Sequence, residues 1–198
     1  MKSESMEEHK RNAPESVKFA VITLSDSKYH DFLEEKTTDI SGNIIIDRLK
    51  NENTLEFYTV IPDDAELLKS TVNEVITETS ADVIITTGGT GIGTRDITVE
   101  TLTPLFEKEL PGFGEIFRYQ SYKEIGTGAI LSRATAGTYE GVLIIAMPGS
   151  PNAVETGLNI ISSELKHLVK HLKDWDYKKK SYNIFIFLHK IIYSYQGF

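Results

Sequence analysis

A glycine-rich segment offers the clearest opportunity for chemistry in the sequence. From Gly88 to Asp96, nine residues include four glycines, and a short β-branched run typical of a buried strand comes directly before them. Glycine lets the backbone approach a ligand closely, so the segment suits phosphate binding, although a tight turn without a ligand would have the same composition. It lacks the Lys-Ser/Thr ending of a P-loop and the glycine spacing of the dinucleotide fingerprint. Neither common nucleotide motif therefore applies.

Acidic residues recur where the predicted strands end. Asp96 closes the glycine-rich loop, Asp63 follows the second predicted strand, and Asp26 follows the first. A carboxylate beside a phosphate loop is repulsive unless it caps a helix or holds a cation such as Mg²⁺. Carboxylates at the ends of neighbouring strands can converge on one ion. Both roles stay open for Asp63 and Asp96, and Asp26 is a weaker candidate.

Short apolar runs alternate with helical periodicity along the chain, and this alternation predicts the scaffold that positions the loops. The intervening segments carry apolar residues at three- and four-residue steps. The predicted strands are Val17 to Leu24, Leu55 to Ile61, Asp82 to Thr87 and Gly141 to Met147. We therefore expect a three-layer α/β fold: an open, mostly parallel sheet with helices on both faces and a ligand site beyond the C-terminal strand ends.

The segments between the strands are predicted to be mainly helical. A polar loop is expected up to Asp39, and a helix is expected from Ser41 to about Glu52. Asp63 and Asp64 supply N-cap chemistry for the next helix, which covers the following apolar-periodic stretch. Further helices are expected from Gly112 to Glu124 and from Pro151 to Leu172. His167 and His171 lie four residues apart on the last helix, but their sequence context favours a helix-end cation over a metal site.

Composition limits the classes of partner and location. Of 198 residues, 40% are apolar and none is cysteine, which excludes disulfides and thiolate nucleophiles. The net charge of -8 disfavours nucleic acid and anionic membranes, so a polyphosphate ligand would need backbone amides or a divalent cation. No apolar run is long enough to cross a bilayer, and we expect a cytoplasmic protein.

The chain is predicted to contain one folded domain with two flanking segments. Residues 1–16 are polar without periodicity and are expected to form a flexible leader, and residues 17–175 form the domain. Residues 176–198 form a C-terminal extension with a lysine triplet and a short apolar run. We interpret this extension as an edge strand, a subunit contact or a poorly ordered tail, with membrane-surface attachment as the alternative.

The glycine-rich loop also carries a family resemblance. The segment from Thr86 to Thr98 closely resembles the signature of the MogA/MoaB molybdopterin-binding family, which includes the Cnx and gephyrin G domains. The resemblance extends over roughly Val17 to Leu172 and is closest to the MoaB branch. The other matching motifs are Ser25-Asp26, Asp39 to Gly42, Pro62-Asp63, Pro111 to Glu115, Leu131 to Arg133 and Met147 to Pro151.

This resemblance implies an enzyme of molybdenum cofactor biosynthesis that binds molybdopterin and adenylylates its terminal phosphate with ATP and Mg²⁺, releasing pyrophosphate. Asp63 and Asp96 match the family's catalytic aspartates and are the expected metal ligands. Small residues at helix starts can offer amides and hydroxyls to anionic oxygens. The expected cofactor-binding positions are Ser25, Asp26, Ser41, Gly42, Thr87, Gly88, Gly89, Thr90, Gly91, Glu115, Ser132, Arg133, Pro148, Gly149, Ser150 and Pro151.

The resemblance further implies a homo-oligomer, a trimer or a hexamer, with the molybdenum insertase of the same pathway as a candidate partner. Two other functions compete with this interpretation. One is a nucleotide-sugar pyrophosphatase resembling the related domain of CinA-type proteins, and the other is a non-catalytic molybdopterin carrier or scaffold. The motifs around Ser132 and Ser150 favour pterin chemistry over the first, and the presence of both Asp63 and Asp96 favours an enzyme over the second.

Overall fold

A six-stranded, mostly parallel sheet lies at the centre of the computed structural model, which describes residues 14–36 and 38–173. β1 pairs in parallel with a strand on each side, and only the last two strands of the sheet are antiparallel to their neighbours. The sheet order is β2-β1-β3-β6-β5-β4. The strands are β1 (Lys18–Leu24), β2 (Thr54–Ile61), β3 (Val83–Thr87), β4 (Lys108–Glu109), β5 (Thr135–Tyr139) and β6 (Val142–Met147).

Helices cover both faces of this sheet. Three short 3₁₀ turns, Thr103–Leu105, Gly126–Leu131 and Ser162–Glu164, follow three of the α-helices. The α-helices are α1 (Asp26–Leu33), α2 (Ile40–Leu49), α3 (Ala65–Glu78), α4 (Thr98–Leu102), α5 (Pro111–Ile125), α6 (Pro151–Ile161) and α7, which occupies residues 165–173 of the described chain.

Alternation along the strands divides the core into two clusters. In β1, Phe19 and Val21 belong to the cluster beneath α2, α5, α6 and α7, whereas Ala20 and Ile22 belong to the cluster beneath α3 and α4. β3 and β6 are buried along their whole lengths, as expected for central strands covered on both faces. The expected three-layer α/β fold is confirmed.

The structure differs from the sequence prediction at α1, where a polar loop was expected. Ser25 caps this helix by accepting a hydrogen bond from the backbone N–H of Lys28 at 3.3 Å. None of the residues in α1 is buried, so the helix has no apolar stripe from which it could be predicted.

The antiparallel strands β4 and β5 were also not predicted. β5 joins β6 through a two-residue hairpin loop, Glu140 and Gly141, and both residues have positive φ values of 49° and 79°. This is the backbone conformation that short hairpin loops require. β4 has only two residues, which is too short for a periodic signal.

The predicted C-terminal helix is interrupted, although its apolar face is correct. Val154, Leu158 and Ile161 are buried on α6, and Leu165 continues the same cluster on α7. Between them lies the Ser162–Glu164 turn, which contains two serines, and serine favours helix ends over interiors.

The proposed domain boundaries stay predictions. Residues 1–13 of the expected leader and all of the expected extension 176–198 lie outside the described residues. Among the helices of residues 14–36 and 38–173, none combines the length and the hydropathy that a membrane span needs.

Candidate active site

A cavity of about 470 Å³ lies beyond the carboxyl ends of four parallel strands. Its walls include Leu24 at the end of β1, Asp63 after β2, Thr87 at the end of β3 and Pro148 after β6. Because β2 and β3 pair with opposite edges of β1, the sheet order reverses here. Open α/β sheets bind ligands in the crevice at such a switch point.

The cavity brings together most of the residues that the sequence pointed to. Those that line it are Ser25, Ser41, Asp63, Thr87, Gly88, Gly89, Thr90, Gly91, Asp96, Pro148, Gly149 and Pro151. Six others lie outside its walls: Asp26, Gly42, Glu115, Ser132, Arg133 and Ser150.

Each of these six residues has a recognisable position. Gly42 is buried at the start of α2, and Ser150 caps α6 by accepting a hydrogen bond from the N–H of Ala153 at 3.3 Å. Glu115 is exposed on α5, and Ser132 follows the 3₁₀ turn that ends at Leu131. The other two, Asp26 and Arg133, form ion pairs at the edge of the site and are described below.

The first two glycines of the loop are required by the backbone itself. Gly88 and Gly89 have φ values of 101° and 60°, in the region that favours glycine. A Cβ atom on Gly88 would lie 2.1 Å from the carbonyl oxygen of Leu24, and one on Gly89 would lie 2.6 Å from Oγ1 of Thr98. The Thr98 hydroxyl also donates to the Gly88 carbonyl at 2.8 Å. The loop is thus packed tightly against β1 and α4.

The loop after β6 packs against the glycine-rich loop. A Cβ atom on Gly149 would lie 3.1 Å from the Cα of Gly88. Thr87 donates its hydroxyl to the carbonyl of Pro148 at 3.1 Å, and Ser41 donates to the carbonyl of Gly149 at 2.8 Å. Small side chains therefore hold the two loops side by side, with hydroxyls and backbone facing one cavity.

Asp63 contributes an unusual carboxylate to this cavity. Asp63 and Asp26 exchange hydrogen bonds: Oδ2 of Asp63 accepts from the Asp26 N–H at 3.3 Å, and Oδ1 of Asp26 accepts from the Asp63 N–H at 3.1 Å. The other oxygen, Oδ1 of Asp63, is buried without a hydrogen-bond partner, and burial raises the pKa of this carboxyl. A buried oxygen of this kind requires a donor or a cation.

Neither Asp63 nor Asp96 caps a helix, so the capping alternative is wrong for both. Asp64, the next residue, caps α3 by accepting a hydrogen bond from the Leu67 N–H at 2.8 Å. Asp96 instead closes a turn inside the glycine-rich loop, because its Oδ2 accepts from the Gly93 N–H at 2.8 Å. The N-cap residue of α4 is Ile97, which makes no capping hydrogen bond with its side chain.

The chemistry of the donors fits a divalent cation that shares its coordination with a ligand. Mg²⁺ is usually held by one or two carboxylates together with substrate phosphates and water. Within residues 14–36 and 38–173, no three histidine, cysteine or acidic side chains cluster as a complete metal cage. Mg²⁺ needs only one or two protein carboxylates, and the unpartnered Oδ1 of Asp63, with Asp96 in the same cavity wall, meets this need.

Two arginines brace the edge of the site. Arg95 donates from Nη2 to both carboxylate oxygens of Asp26, at 2.7 and 2.6 Å, and this contact lowers the pKa of the Asp26 carboxyl. Arg133 donates from Nη1 to the carbonyl of Gly91 at 3.0 Å and pairs with Glu100, lowering the pKa of that carboxyl. Arg133 therefore supports the glycine-rich loop from outside the cavity.

Asp39 organises the wall formed by α2. It is 6% exposed, and its carboxylate accepts hydrogen bonds from the Gly42 N–H at 3.0 Å, the Thr23 hydroxyl at 2.6 Å and the Tyr58 hydroxyl at 2.8 Å. Burial, followed by the hydrogen bond to Asp39, raises the pKa of Tyr58 above its ordinary value. Both carboxylate oxygens of Asp39 therefore accept hydrogen bonds, whereas Oδ1 of Asp63 accepts none from the described residues.

Sequence reasoning missed eight of the residues in the cavity wall. Asp39 and Arg95 lie within the matching motifs, but neither was assigned to the site, and Lys28 stands two residues beyond the Ser25-Asp26 motif. Helix α1, which was not predicted, brings Lys28 to the cavity. The missed residues are Thr23, Leu24, Lys28, Thr38, Asp39, Ile40, Arg95 and Leu131.

Fold and site together define an α/β protein with a crevice at the switch point of its sheet, lined by two small-residue loops and by candidate metal-binding carboxylates. A family described as "Probable molybdopterin binding domain" matches residues 20–167. The chain belongs to this family, as the sequence resemblance indicated.

Individual relatives agree with this membership. The molybdopterin adenylyltransferase of Pyrococcus furiosus is 46% identical over 173 residues, which cover 85% of this chain and 99% of the relative. The probable molybdopterin adenylyltransferase of Methanocaldococcus jannaschii is 45% identical over 166 residues, covering 84% and 99%. The crystal structure of the tungsten cofactor synthesizing protein MoaB from Pyrococcus furiosus aligns with a TM-score of 0.73, over 81% of this chain and 99% of that one.

A more distant structure shares only the fold. The protein CinA from Thermoplasma acidophilum aligns with a TM-score of 0.55 at 16% identity, covering 77% of this chain. This identity is too low to carry a function, so the likeness to CinA reflects the three-layer architecture that both proteins share.

Proposed function

We propose that this protein is a molybdopterin adenylyltransferase of molybdenum cofactor biosynthesis that uses ATP and Mg²⁺. The observation that carries the proposal is the cavity at the switch point, whose wall combines two small-residue loops with the carboxylates of Asp63 and Asp96. The amides and hydroxyls of the loops can bind anionic oxygens, and the two carboxylates can hold a cation. The names of the relatives with 45–46% identity support the same reaction.

The chemistry requires no covalent enzyme intermediate. An oxygen of the pterin phosphate attacks the α-phosphorus of ATP, a new P–O bond forms, and the bond to the β-phosphate bridging oxygen breaks, so that pyrophosphate leaves. The absence of cysteine is therefore no obstacle. The protein's contribution is to hold two mutually repelling anions in line in a fixed polar environment.

The residues divide this work between them. The loops at Gly88–Gly91 and Gly149, which line the cavity, would bind the pterin and its phosphate, and Ser25 and Ser41 would add hydroxyls beside them. Asp63 and Asp96 would hold Mg²⁺, which offsets negative charge on the phosphates of the nucleotide. Arg133 and Asp39 keep the loop and helix α2 in position through their hydrogen bonds.

The test is direct product analysis. The purified protein is incubated with molybdopterin, ATP and Mg²⁺, and adenylylated pterin and pyrophosphate are measured in equal amounts over time. Parallel reactions with ADP-ribose test the nucleotide-sugar pyrophosphatase alternative. Formation of both products from molybdopterin supports the proposal, whereas pterin binding without turnover would identify a carrier.

We also infer that the protein self-associates, as trimers or hexamers. The support is an exposed apolar patch on α5 and the 3₁₀ turn after it, where six large side chains are between 49% and 80% exposed. Exposed apolar patches of this kind mark protein contacts. The residues of this α5 patch are Ile116, Tyr119, Tyr122, Ile125, Ile130 and Leu131. Contact with a molybdenum insertase is the other use that the proposed pathway offers for this surface.

Sedimentation distinguishes these uses. We expect a species of about three or six times the 22.2 kDa chain mass at micromolar concentration, and the Ile125→Glu variant should shift it toward the monomer. The matched control is Leu33→Glu, because Leu33 is equally exposed but lies on α1, away from the α5 patch. A wild-type protein that sediments only as a monomer would refute self-association.

A further inference from the structure

Of the two cations in the cavity wall, one has no ion pair within 4 Å among residues 14–36 and 38–173. Two basic side chains, Lys28 and Arg95, and three carboxylates, Asp39, Asp63 and Asp96, belong to its wall. Arg95 is already neutralised, since its Nη2 contacts both oxygens of Asp26. By contrast, Lys28 forms no ion pair or side-chain hydrogen bond with any residue in the ranges 14–36 and 38–173. Among the described residues of the cavity wall, Lys28 is therefore the one side chain whose positive charge is available to a polyphosphate ligand.

Two acidic residues near Lys28 are occupied by other donors. Asp31, one turn further along α1, accepts a hydrogen bond from the Thr38 hydroxyl, and this contact is the main reason that the pKa of its carboxyl is lowered, whereas the charge of Lys28 makes only a smaller contribution to that lowering. Asp39 is satisfied by its three donors, which include the hydroxyl of Tyr58. Neither carboxylate is therefore a strong competitor for the Lys28 ammonium.

Lys28 borders two cavities. Its residue is half-buried and also lines a second cavity of about 260 Å³, whose walls include Phe32 and Tyr58. A lysine commonly packs its aliphatic stem on apolar surface and presents only its ammonium to a polar region. Lys28 therefore stands in the partition between an aromatic-walled cavity and the candidate active site.

Hydrogen bonds to residues at the candidate active site hold helix α1 in place. None of its residues is buried, so packing alone does not fix it. Its first turn is anchored by the Ser25 cap, by the exchange of hydrogen bonds between Asp26 and Asp63, and by the contact of Asp26 with Arg95. The carboxylate that would hold the metal and the helix that carries Lys28 thus share one anchor.

We propose that Lys28 binds a phosphate oxygen of a substrate in the cavity and is a substrate-binding residue that the sequence motifs did not reveal. This inference rests on the proposed function for the identity of the substrates. A phosphate oxygen could come from ATP or from the pterin, and the kinetic experiment separates the two. An ammonium within hydrogen-bonding distance of a phosphate contributes a charge-assisted bond that a neutral side chain cannot replace.

The variants that test this role are Lys28→Met and Lys28→Arg, with Lys36→Met as the matched control. Methionine keeps most of the stem and removes the charge, and arginine restores the charge. Lys36 lines the neighbouring cavity but not the candidate active site, and it pairs with Glu34. Thermal unfolding of all three variants verifies that each one is folded.

The main readout is the Michaelis constant of each substrate. Lys28→Met should raise KM for one substrate by about ten- to a hundredfold, the range expected for one hydrogen bond to a charged group. The substrate affected identifies the phosphate that Lys28 binds. Lys28→Arg should recover most of the loss, and Lys36→Met should match the wild type. Unchanged KM values in Lys28→Met, or a defect that arginine does not rescue, would overturn the proposal.

A second readout keeps this inference separate from the proposed function. Binding of inorganic pyrophosphate to the wild type and to Lys28→Met is measured by calorimetry at two salt concentrations. Lys28→Met should bind more weakly and with a smaller salt dependence, because one ionic contact is lost. If the wild type forms no adenylylated pterin but binds pyrophosphate in this Lys28-dependent way, the proposed function fails and the role of Lys28 stands. Equal binding of pyrophosphate by both proteins restricts Lys28 to the pterin phosphate, and unchanged KM values for both substrates as well would overturn the role of Lys28.

Discussion

Replacing Asp63 by Asn separates a metal-binding role from a structural one. The asparagine side-chain oxygen can still accept the hydrogen bond from the Asp26 N–H, so the anchor of α1 should survive. What the substitution removes is the charge on the buried oxygen that has no partner. If that oxygen holds Mg²⁺ against the nucleotide, adenylylation should fall by several hundred-fold or more, on the order of 4 kcal/mol of transition-state stabilisation.

The effect on stability should be small, and its sign follows from the pKa. Burial raises the pKa of Asp63, so the folded state holds this proton more tightly than the unfolded chain does. The stabilisation from the protonated form is present below the unfolded pKa and is lost as pH rises through the folded pKa. At neutral pH the carboxylate therefore costs stability, and the Asn variant should be equal to the wild type or slightly more stable. We expect a change within about 1 kcal/mol, which is roughly 2–4 °C in Tm for a domain of this size.

Asp64 provides the matched control, because it is the neighbouring aspartate and does not line the cavity. Its carboxylate caps α3, so Asp64→Ala should lose about 1 kcal/mol of stability and keep its activity, whereas Asp64→Asn should change neither. Turnover, thermal unfolding and Mg²⁺ titration are measured for all variants at neutral pH. Near wild-type turnover of Asp63→Asn at saturating Mg²⁺ would refute the metal role of this carboxylate.

Three further outcomes are expected. Gly89→Ala should lose ligand binding and also about 1–2 kcal/mol of stability, because its backbone has a positive φ and its Cβ would meet Thr98; normal melting together with normal pterin binding would contradict this. Gly157→Ala should cost about 1–3 kcal/mol in urea unfolding while the folded fraction keeps its activity, since its Cβ would lie 2.3 Å from Sδ of Met147 in the core. The stability of Asp26→Asn should depend less on pH below neutrality than that of the wild type. The Arg95 contact lowers the pKa of Asp26, so the stabilisation from its carboxylate is present above the unfolded pKa and is lost as pH falls through the folded pKa. Identical acid-unfolding curves of variant and wild type would exclude this linkage.

The central strands could be predicted from the sequence because burial on both faces leaves a strong local signal. β3 and β6 are uninterrupted runs of buried residues; their predicted first residues differ from the observed ones by one position, and their predicted last residues are correct. β5 carries no comparable signal, since Gly137 lies within it and its pairing depends on the turn at Glu140 and Gly141. Helix α1 was missed for a related reason: polar contacts at its first turn hold it, and those contacts join residues far apart in the chain.

The glycine-rich loop and the two aspartates could be predicted as candidates, but their geometry could not. Sequence alone left a helix cap and a metal ligand equally available to Asp63, and only the position of Asp64 at the start of α3 excludes the cap. Lys28 and Asp39 line the cavity through helices whose placement depends on tertiary contacts. Their roles therefore become visible only when the charges of the whole cavity are compared.

A cation in this cavity would need ligands from the substrates as well as from the protein. Oδ2 of Asp96 is engaged by the Gly93 N–H, and Oδ2 of Asp63 by the Asp26 N–H, so the protein offers a cation few uncommitted oxygens. Phosphate oxygens of a nucleotide would supply the remaining ligands, and the cation would in turn reduce the repulsion between those phosphates and the cavity carboxylates. By linkage, each should therefore strengthen the binding of the other by the same factor. Under the proposed function, an acidic protein would in this way bind two anionic substrates without a strongly basic surface, because the neutralising charge would arrive with the nucleotide and Lys28 would supply the one uncommitted positive charge among the described residues of the wall.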